Sequence, residues 1–267
     1  AGGTRAAEAI MTTDTVSKEV AVRFPLGGKM CKLGGISKGS GMIAPNMATM
    51  LCFLTTDAAI SSVALKRALT TVTADTFNML SVDGDTSTND MVSILANGMA
   101  GNAPIEACMG TDYEAFVAAL YKVCEKLCAI MAKDGEGATK LLVCEGAGAK
   151  STAAAKLVAK AVIKSTLLKA AIFGADANWG RVLCAIGYAG ADVDVSKVDV
   201  NFRSNRGLIP VCRGGAGVAF SEETAKEILM DDEITVQVAL NSGSATAKAW
   251  GCDLTYEYVK INGDYRT

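Results

Sequence analysis

The stretch KGSGMIAPNMATMLCFLTTDA comprises residues 38–58. A loop rich in glycine, with Pro45 near its end, leads directly into an apolar run that starts at Thr49. A short apolar run bounded by turn residues predicts a strand buried on both faces. Just upstream, EVAVRF (residues 19–24) and KMCKLGGI (residues 29–36) alternate in polarity, with LGG as the turn between them, which predicts two paired strands.

Strands and helices are interleaved on both sides of this stretch. Apolar residues at helical spacing predict helices over residues 1–12 (the end of a helix), 61–80, 111–135, 152–171 and 221–230. The helix over 111–135 is the clearest, with a capping box at Thr111 and Glu114 and a stop at Gly135. Short apolar or alternating runs predict strands over residues 91–98, 140–149, 181–190, 198–202, 208–212, 234–240 and 250–261. This order predicts an α/β (α+β) fold in which helices cover layered, largely antiparallel sheets.

Length and composition bound the class of protein. The 267 residues suffice for one large domain or two small ones, and half of them are apolar, as in a soluble globular protein. A net charge of −2 provides no basic surface for nucleic acid, so no nucleic-acid partner is expected. No apolar run is long enough to span a bilayer and no signal peptide is visible, so no membrane partner is expected.

The chain contains no histidine. Ser-His-Asp and Cys-His catalytic systems and His-ligated zinc sites are therefore excluded within it. Acid–base chemistry must use a carboxylate, a lysine, a tyrosine, a cysteine or a terminal amine. The nine cysteines are scattered and form no C-x-x-C pair, which indicates small core residues in a reducing, cytoplasmic compartment. Cys124 and Cys128 share a helix face, but no metal site is expected there because other ligand types are missing nearby.

Three motifs suggest chemistry that the rest of the sequence does not support. GISKG (residues 35–39) matches a hydrolase nucleophile elbow, but that motif needs a histidine and a following helix, and a loop with a proline follows instead. GAGAKS (residues 146–151) lies between a predicted strand and a predicted helix but lacks the spacing of a phosphate-binding P-loop. CRGGAG (residues 212–217) is interpreted as a turn.

Thr49 is a candidate nucleophile that a chain without histidine can activate by itself. A threonine hydroxyl needs a group that takes its proton, and the α-amino group of the same residue, with an ordinary pKa of about 7.7–8.0, suits that role. This amine is free only after the Ala48–Thr49 bond is broken. A small residue at position 48 and a loop with Gly39, Gly41 and Pro45 favour attack of the hydroxyl on that bond. From the residues alone, an ordinary strand threonine is the favoured interpretation, and self-cleavage is the alternative.

KGSGMIAPNMATML (residues 38–51), with AIMTTDT upstream (residues 9–15), closely resembles the ornithine acetyltransferase family, the glutamate N-acetyltransferases of arginine biosynthesis. Further blocks extend the resemblance through essentially the whole chain in the family's order: VDGDTSTND (82–90), KDGEGATK (133–140), DANWGR (176–181) and AWGCDLTYEYVKINGDYRT (249–267). Several different motifs in one order make the resemblance specific.

The resemblance implies a self-processing enzyme with the family's N-terminal-nucleophile architecture. Cleavage between Ala48 and Thr49 would leave residues 1–48 as the C-terminal part of an α chain and residues 49–267 as a β chain that starts at the nucleophile. Thr49 would take acetyl from N2-acetyl-L-ornithine, and glutamate would accept it in a ping-pong reaction. The expected partners are these small-molecule substrates and the two chains of one precursor, assembled as an α2β2 heterotetramer. No cofactor is expected, although some members of the family take acetyl from acetyl-CoA.

The family's substrate-binding positions fall on Thr12 or Thr13, Lys38, Thr49, Glu136, Asn262 and Thr267. Lys38 suits the α-carboxylate that ornithine and glutamate share, and Glu136 suits a cationic amine. Asn262 and the end of the chain suit the orientation of polar groups. Judged by residue type alone, Lys38 would be a solvated surface lysine and Glu136 a loop acid near a helix end.

Some questions stay open at this point. The resemblance implies a further N-terminal region whose Thr-Gly pair forms an oxyanion hole, and no matching segment occurs in residues 1–267. The alternative enzyme class is a self-processing aminopeptidase or amidohydrolase, in which water takes the acyl group. The alternative without enzyme activity is an uncut relative that acts as a binding or assembly module.

Overall fold

Strands and helices form two units in the computed structural model, and each unit has its own sheet. The structure describes residues 2–44, 50–86 and 88–264. The first unit comprises Ala1–Asn78 and Asp85–Met131, and the second comprises Met79–Gly84 and Ala132–Thr267. The α/β (α+β) class predicted from the sequence is confirmed.

The described residues form the following strands: β1 (Lys18–Leu26), β2 (Lys29–Lys38), β3 (Leu51–Thr56), β4 (Leu80–Ser81), β5 (Met91–Ala96), β6 (Leu141–Ala149), β7 (Asp199–Ser204), β8 (Gly207–Arg213), β9 (Ala216–Gly217), β10 (Glu233–Ala239) and β11 (Ala245–Cys252). They form the following helices: α1 (Gly2–Ala9), α2 (Ser62–Asp75), α3 (Thr111–Lys133), α4 (Thr152–Lys164), α5 (Thr166–Phe173), α6 (Trp179–Gly187), α7 (Glu222–Leu229) and α8 (Tyr256–Asp264). Within the described part of the chain, no helix combines the length and apolar character needed to cross a bilayer.

The first unit is built on a four-stranded sheet in the order β1-β2-β3-β5. The two strands predicted over residues 19–24 and 29–36 form the antiparallel pair β1 and β2. Gly27 and Gly28 make the two-residue turn with φ of 52° and 76°, a conformation that glycine adopts without steric cost. β3 is antiparallel to β2 and parallel to β5. This pairing places Lys38, the last residue of β2, opposite Leu51, the first residue of β3.

Helix α3 covers one face of this sheet. Its fully buried side chains recur at helical spacing: Phe116, Leu120, Val123, Cys124, Leu127, Cys128 and Met131. Phe116 meets Phe24 of β1 edge to face, with the ring centroids 6.1 Å apart. The N–H of Glu114 bonds to the carbonyl of Gly110, so Gly110, and not Thr111, is the N-cap. The predicted capping box at Thr111 is wrong, because glycine has no side chain that could form it.

Strand β3 is buried on one face, so the prediction that both faces are buried is wrong. Cys52 and Leu54 are buried, whereas Thr55 is exposed. A side chain added at Gly35 of β2 would meet both Leu54 and Leu127, which places α3 against the buried face. The pleat turns alternate residues of β3 to the opposite face, where residues such as Thr55 remain accessible.

The second unit is built on a seven-stranded sheet in the order β4-β11-β6-β10-β7-β8-β9. β6 lies between β10, which runs parallel to it, and β11, which runs antiparallel. β11 and β4 are parallel, and the other pairs are antiparallel, so the expectation of largely antiparallel sheets is confirmed. Helix α4 packs on β6 and β11 and buries one stripe of side chains: Ala155, Val158, Ala159, Val162 and Ile163.

The single helix predicted over residues 152–171 is wrong, because the chain breaks at Ser165 into α4 and α5. The N–H of Ser165 bonds to the carbonyl of Val162 over 3.3 Å and closes α4. Its hydroxyl accepts a hydrogen bond of 3.3 Å from the N–H of Leu168 and caps the start of α5. Serine favours such caps because its side chain replaces a missing backbone partner.

Two predicted strands of this unit contain helices instead. Residues 181–190 lie largely in α6, where the Asn178 side chain caps the helix by accepting from the N–H of Arg181 over 3.1 Å. The prediction for residues 250–261 holds only as far as Cys252, where β11 ends. α8 starts at Tyr256, and the hydroxyl of Thr255 accepts from the N–H of Tyr258 over 3.4 Å. A short apolar run is compatible with either a strand or a helix. In both segments a capping side chain at the N-terminus stabilises the helix.

Candidate active site

Lys38, at the end of β2, is buried and not solvated. The residue is 8% exposed, and its Nζ donates to the hydroxyl oxygen of Thr12 over 2.7 Å. A buried ammonium needs polar partners, because taking its charge out of water is costly. The solvated surface lysine expected from residue type alone is therefore excluded, and the Lys38 charge lies beside the TTDT segment.

Thr13 and Ser40 connect the TTDT segment to the loop after β2. Their hydroxyl oxygens are 2.7 Å apart, so one of them donates to the other. Ser40 is 1% exposed, and Thr13 is half-buried. Both threonines named from the sequence thus contact residues 38–40, and it is Thr12 that bonds to the Lys38 ammonium.

Asp14 holds this group of residues together, and reasoning from the sequence missed it. Its carboxylate accepts hydrogen bonds of 2.6 Å from Lys18 Nζ, 2.6 Å from the N–H of Gly39 and 3.2 Å from the N–H of Thr12. The Asp14 and Lys18 side chains are fully buried. Burial alone raises the pKa of the Asp14 carboxyl, but the hydrogen bonds and the Lys18 charge together lower it below its ordinary value. No local pattern signals this role, because it depends on a contact with Gly39, 25 residues away.

Gly39 is the point where the chain leaves β2. Its φ of 145° belongs to a region that side chains rarely adopt. A Cβ at this position would lie 2.7 Å from the Ile43 side chain. Glycine is therefore required both for the turn after Lys38 and for the close approach of Ile43.

The predicted cleavage site and nucleophile, Ala48 and Thr49, lie outside the described residues, as does Thr267. The first described residue after Thr49 is Met50, which is 1% exposed. Its N–H donates to the carboxylate of Asp90, and its carbonyl accepts from the N–H of Met91 over 2.9 Å. The segment that follows position 49 is thus fixed at Met50 on both sides of the residue.

Asp90 is a second carboxylate that reasoning from the sequence missed, because it belongs to the polar VDGDTSTND block. Burial raises the pKa of its carboxyl to about 6, against the opposing effects of the Met50 hydrogen bond and the Lys38 charge. Its Oδ2 is buried and has no hydrogen-bond partner among the residues that the structure describes. Asp90 can accept a proton near neutral pH.

Glu136 and Asn262 meet in the second unit. The Asn262 side-chain amide donates to Glu136 Oε2 over 2.8 Å and to the carbonyl of Tyr258 over 3.0 Å. Asn262 is exposed and Glu136 is half-buried. Two residues that are 126 positions apart, both named from the sequence, thus form one polar group with an accessible carboxylate.

Gly137 lets helix α8 approach the Glu136 loop closely. Its φ is 68°, and a Cβ on it would lie 2.6 Å from the backbone nitrogen of Tyr258. The hydroxyl of Thr255 donates to the Gly137 carbonyl over 2.6 Å. The position of Asn262 beside Glu136 therefore depends on a residue without a side chain at position 137.

The structure brings the predicted residues together in two groups, one in each unit. The group in the first unit contains Thr12, Thr13 and Lys38 and offers a cation with hydroxyls, which suits a carboxylate ligand. The group in the second unit contains Glu136 and Asn262 and offers a carboxylate with an amide, which suits an ammonium ligand.

The cysteines and the rejected motifs add no further site. Seven of the nine cysteines are buried, and Cys108 and Cys184 are exposed. Within residues 2–44, 50–86 and 88–264, no three His, Cys, Asp or Glu side chains cluster as metal ligands would. Ser37 of GISKG lies within β2 and is 1% exposed, so it is not at a strand-to-helix turn.

A model described as the ArgJ family matches residues 1–267 of the chain. The chain is 53% identical over 263 residues to "Arginine biosynthesis bifunctional protein ArgJ 1" of Clostridium acetobutylicum, covering 98% of the chain and 64% of that protein. It is 51% identical over 267 residues to "Arginine biosynthesis bifunctional protein ArgJ" of Caldanaerobacter subterraneus, covering 100% of the chain and 66% of that protein. The chain thus spans slightly less than two thirds of the length of these relatives.

A solved structure supports the same architecture. The crystal structure of arginine biosynthesis bifunctional protein ArgJ from Bacillus halodurans matches with a TM-score of 0.75 and 46% sequence identity. The match covers 80% of this chain and 98% of that one. The layered α/β architecture predicted from the order of strands and helices is therefore confirmed.

Proposed function

The chain belongs to the ArgJ family, and from that premise we propose that it works in an acyltransferase of arginine biosynthesis. The proposed reaction moves acetyl from N2-acetyl-L-ornithine to L-glutamate. The observation that carries the proposal, beyond family membership, is the buried Lys38 ammonium bonded to Thr12 at the end of β2. This strand leads into the Ala48–Thr49 segment.

Thr49 is the proposed nucleophile, and its chemistry starts with cleavage of the Ala48–Thr49 bond. The Thr49 hydroxyl attacks the Ala48 carbonyl, the peptide C–N bond breaks to leave an ester, and water hydrolyses this ester to free the α-amine and the Ala48 carboxylate. The freed α-amine takes the proton of the Thr49 hydroxyl, whose oxygen attacks the acetyl carbonyl of N-acetylornithine. The acetyl C–N bond breaks, and ornithine leaves with that proton on its amine. The amine of glutamate then attacks the acetyl ester, and the Thr49 oxygen regains its proton as N-acetylglutamate leaves.

Lys38 is the proposed partner of the α-carboxylate that both substrates carry. Charge-assisted hydrogen bonds to carboxylates are the strong ones in proteins. Thr12 supports this role because it holds the Lys38 ammonium over 2.7 Å. Between Thr12 and Thr13, this bond favours Thr12 as the residue in the substrate site.

Glu136 is the proposed partner of the cationic amine at the far end of the ornithine side chain. Asn262, bonded to it over 2.8 Å, orients the carboxylate. Glutamate carries a carboxylate where ornithine carries this amine, so Glu136 should act chiefly on the donor. Thr49 and Thr267 complete the proposed substrate-binding set.

The proposal includes three further expectations from the family. Acetyl-CoA is a proposed second acetyl donor, and no other cofactor is required. The proposed α chain, of which residues 1–48 are the C-terminal part, and the proposed β chain, residues 49–267, form an α2β2 heterotetramer. The proposed location is the cytoplasm, where thiols such as Cys108 and Cys184 stay reduced.

A transfer assay tests the proposal against hydrolysis. The full-length gene product is given N-acetylornithine labelled in its acetyl group, with and without glutamate. Label in N-acetylglutamate supports the transferase, and an equal rate of acetate release without glutamate would favour the self-processing aminopeptidase or amidohydrolase. Thr49→Ala should leave an uncut chain without transfer. Full activity of that variant would remove Thr49 from the mechanism.

A further inference from the structure

Met50 is hydrogen-bonded through both its N–H and its carbonyl, one residue before β3 begins. Its N–H donates to Asp90 Oδ1, and its carbonyl accepts from the N–H of Met91 over 2.9 Å. β3 and β5 begin at the next pair, Leu51 opposite Met91. A side-chain carboxylate therefore takes the place of a backbone acceptor at the residue that follows Thr49.

The Asp90 carboxylate lies in an environment where a charge is costly. Met50 and Asp90 both line a cavity of about 450 Å³ whose other walls include Leu69, Phe77 and Val92. Oδ2 is buried and has no hydrogen-bond partner among the described residues. A buried acceptor without a partner costs free energy, so this arrangement of Asp90 carries a cost in stability.

Charged groups from two other elements face Asp90. Lys38 of β2 acts on it through its charge, and Lys66 of α2 lines the same cavity. Lys38 is also the proposed partner of the substrate carboxylate. Asp90 therefore accepts a hydrogen bond from Met50, the residue after the proposed nucleophile, and also interacts with the charge of Lys38, the proposed partner of the substrate carboxylate.

We infer that Asp90 is a positioning residue for the acyl-transfer reaction. It acts through the N–H of Met50 and fixes the chain directly after Thr49, and this role rests on the proposed function. Small displacements of a reacting group are costly, since a shift of about 1 Å lowers rates by about a hundredfold. The carboxylate is retained at its cost in stability because it holds this peptide in place.

Three variants of the full-length gene product test the inference. Asp90→Ala removes the acceptor, Asp90→Asn keeps an oxygen of the same shape that accepts from Met50, and Asp85→Asn is the control from the same block. The rate is measured per acetylated active site, so that misfolded or uncut chains are not counted. Hydrogen exchange of the peptide over residues 50–56 reports on the Met50 segment.

The Ala variant should lose at least about tenfold in kcat, with the KM for N-acetylornithine within about threefold of the control. The Asn variant should recover most of that kcat, and exchange over residues 50–56 should accelerate in the Ala variant alone. If Ala matches the Asp85→Asn control in kcat, or if Asn rescues nothing, the inference is wrong. If Asp90→Ala fails to fold, the Asn variant alone is compared with the Asp85→Asn control. A kcat and an exchange rate like those of the control support the inference, and a kcat about tenfold lower contradicts it. If the wild-type protein transfers no acetyl, it is the proposed function that fails.

Discussion

Replacing Asp14 with alanine removes a carboxylate that receives three hydrogen bonds from three parts of the first unit. The donors are Lys18 Nζ, the N–H of Gly39 and the N–H of Thr12. The Asp14 and Lys18 side chains are fully buried. We expect the first unit to lose stability and the contact between Thr12 and Lys38 to loosen.

The size of the expected loss of stability follows from the burial of the Asp14–Lys18 ion pair. Removing one partner of a buried ion pair costs about 3–5 kcal/mol. The Val16 carbonyl also accepts from Lys18 Nζ, over 3.2 Å, which favours the lower end, about 3 kcal/mol. Asp14→Asn keeps an acceptor for Gly39 and should lose less. Asp232→Ala is the control, because it breaks a pair with Lys133 whose side chains are 61% and 50% exposed and contributes little.

Hydrogen exchange is the suitable assay for the first unit. Both tryptophans, Trp179 and Trp250, lie in the second unit, so their fluorescence does not follow the first. A loss of about 3 kcal/mol accelerates exchange through unit opening by about a hundredfold, measured on peptides of β1 and β2. Exchange within threefold of the Asp232→Ala control would show that the Asp14 hydrogen bonds do not stabilise the first unit.

The Asp14 contribution also has a predictable pH dependence. Its pKa in the folded protein is below the ordinary value of 3.8. A carboxyl with a lowered pKa adds stability that is fully present above its unfolded value and is lost as pH falls through the folded value. The difference in stability between the wild type and Asp14→Ala should therefore be constant at neutral pH and shrink below about 3.8.

Three further substitutions test other parts of the account. Lys38→Met should raise the KM for both substrates about tenfold or more, because a charged hydrogen bond to the shared carboxylate is lost; steady-state kinetics with unchanged KM would contradict it. Gly137→Ala places a Cβ 2.6 Å from the Tyr258 nitrogen at a φ of 68°. The amide hydrogens of helix α8 should therefore exchange faster, and the KM for the ornithine donor should rise. Wild-type exchange and KM would show that Gly137 is not needed to hold Asn262 beside Glu136. Ser165→Ala removes the cap of α5 and should cost about 1 kcal/mol, seen as an earlier thermal transition in tryptophan fluorescence; an unshifted transition would show that the cap is dispensable.

Sequence patterns predicted those elements whose stabilising residues lie within the element or next to it. The β1–β2 hairpin follows from alternation and from Gly27 and Gly28, which alone permit the turn. Residues 181–190 and 256–261 were misassigned because short apolar runs do not distinguish a strand from a helix. The side chain of Asn178 and the hydroxyl of Thr255 carried the missing information as helix caps.

The candidate site was predictable only in part, because some of its residues have roles that depend on tertiary contacts. Lys38 and Glu136 were found through the family resemblance, and neither residue type nor spacing would have selected them. Asp14 and Asp90 were missed because their roles arise from contacts with Gly39 and Met50, 25 and 40 residues away in the chain. Burial of a carboxylate is a tertiary property, and a single sequence contains no local signal for it.

N-terminal sequencing of purified protein that transfers acetyl shows whether Thr49 has a free amine that can activate its hydroxyl. This activation requires a chain that begins Thr-Met-Leu-Cys, and we expect this sequence in every active preparation. Active protein in which residues 48 and 49 stay joined in all molecules would contradict it, and a different proton acceptor for the threonine hydroxyl would then be needed.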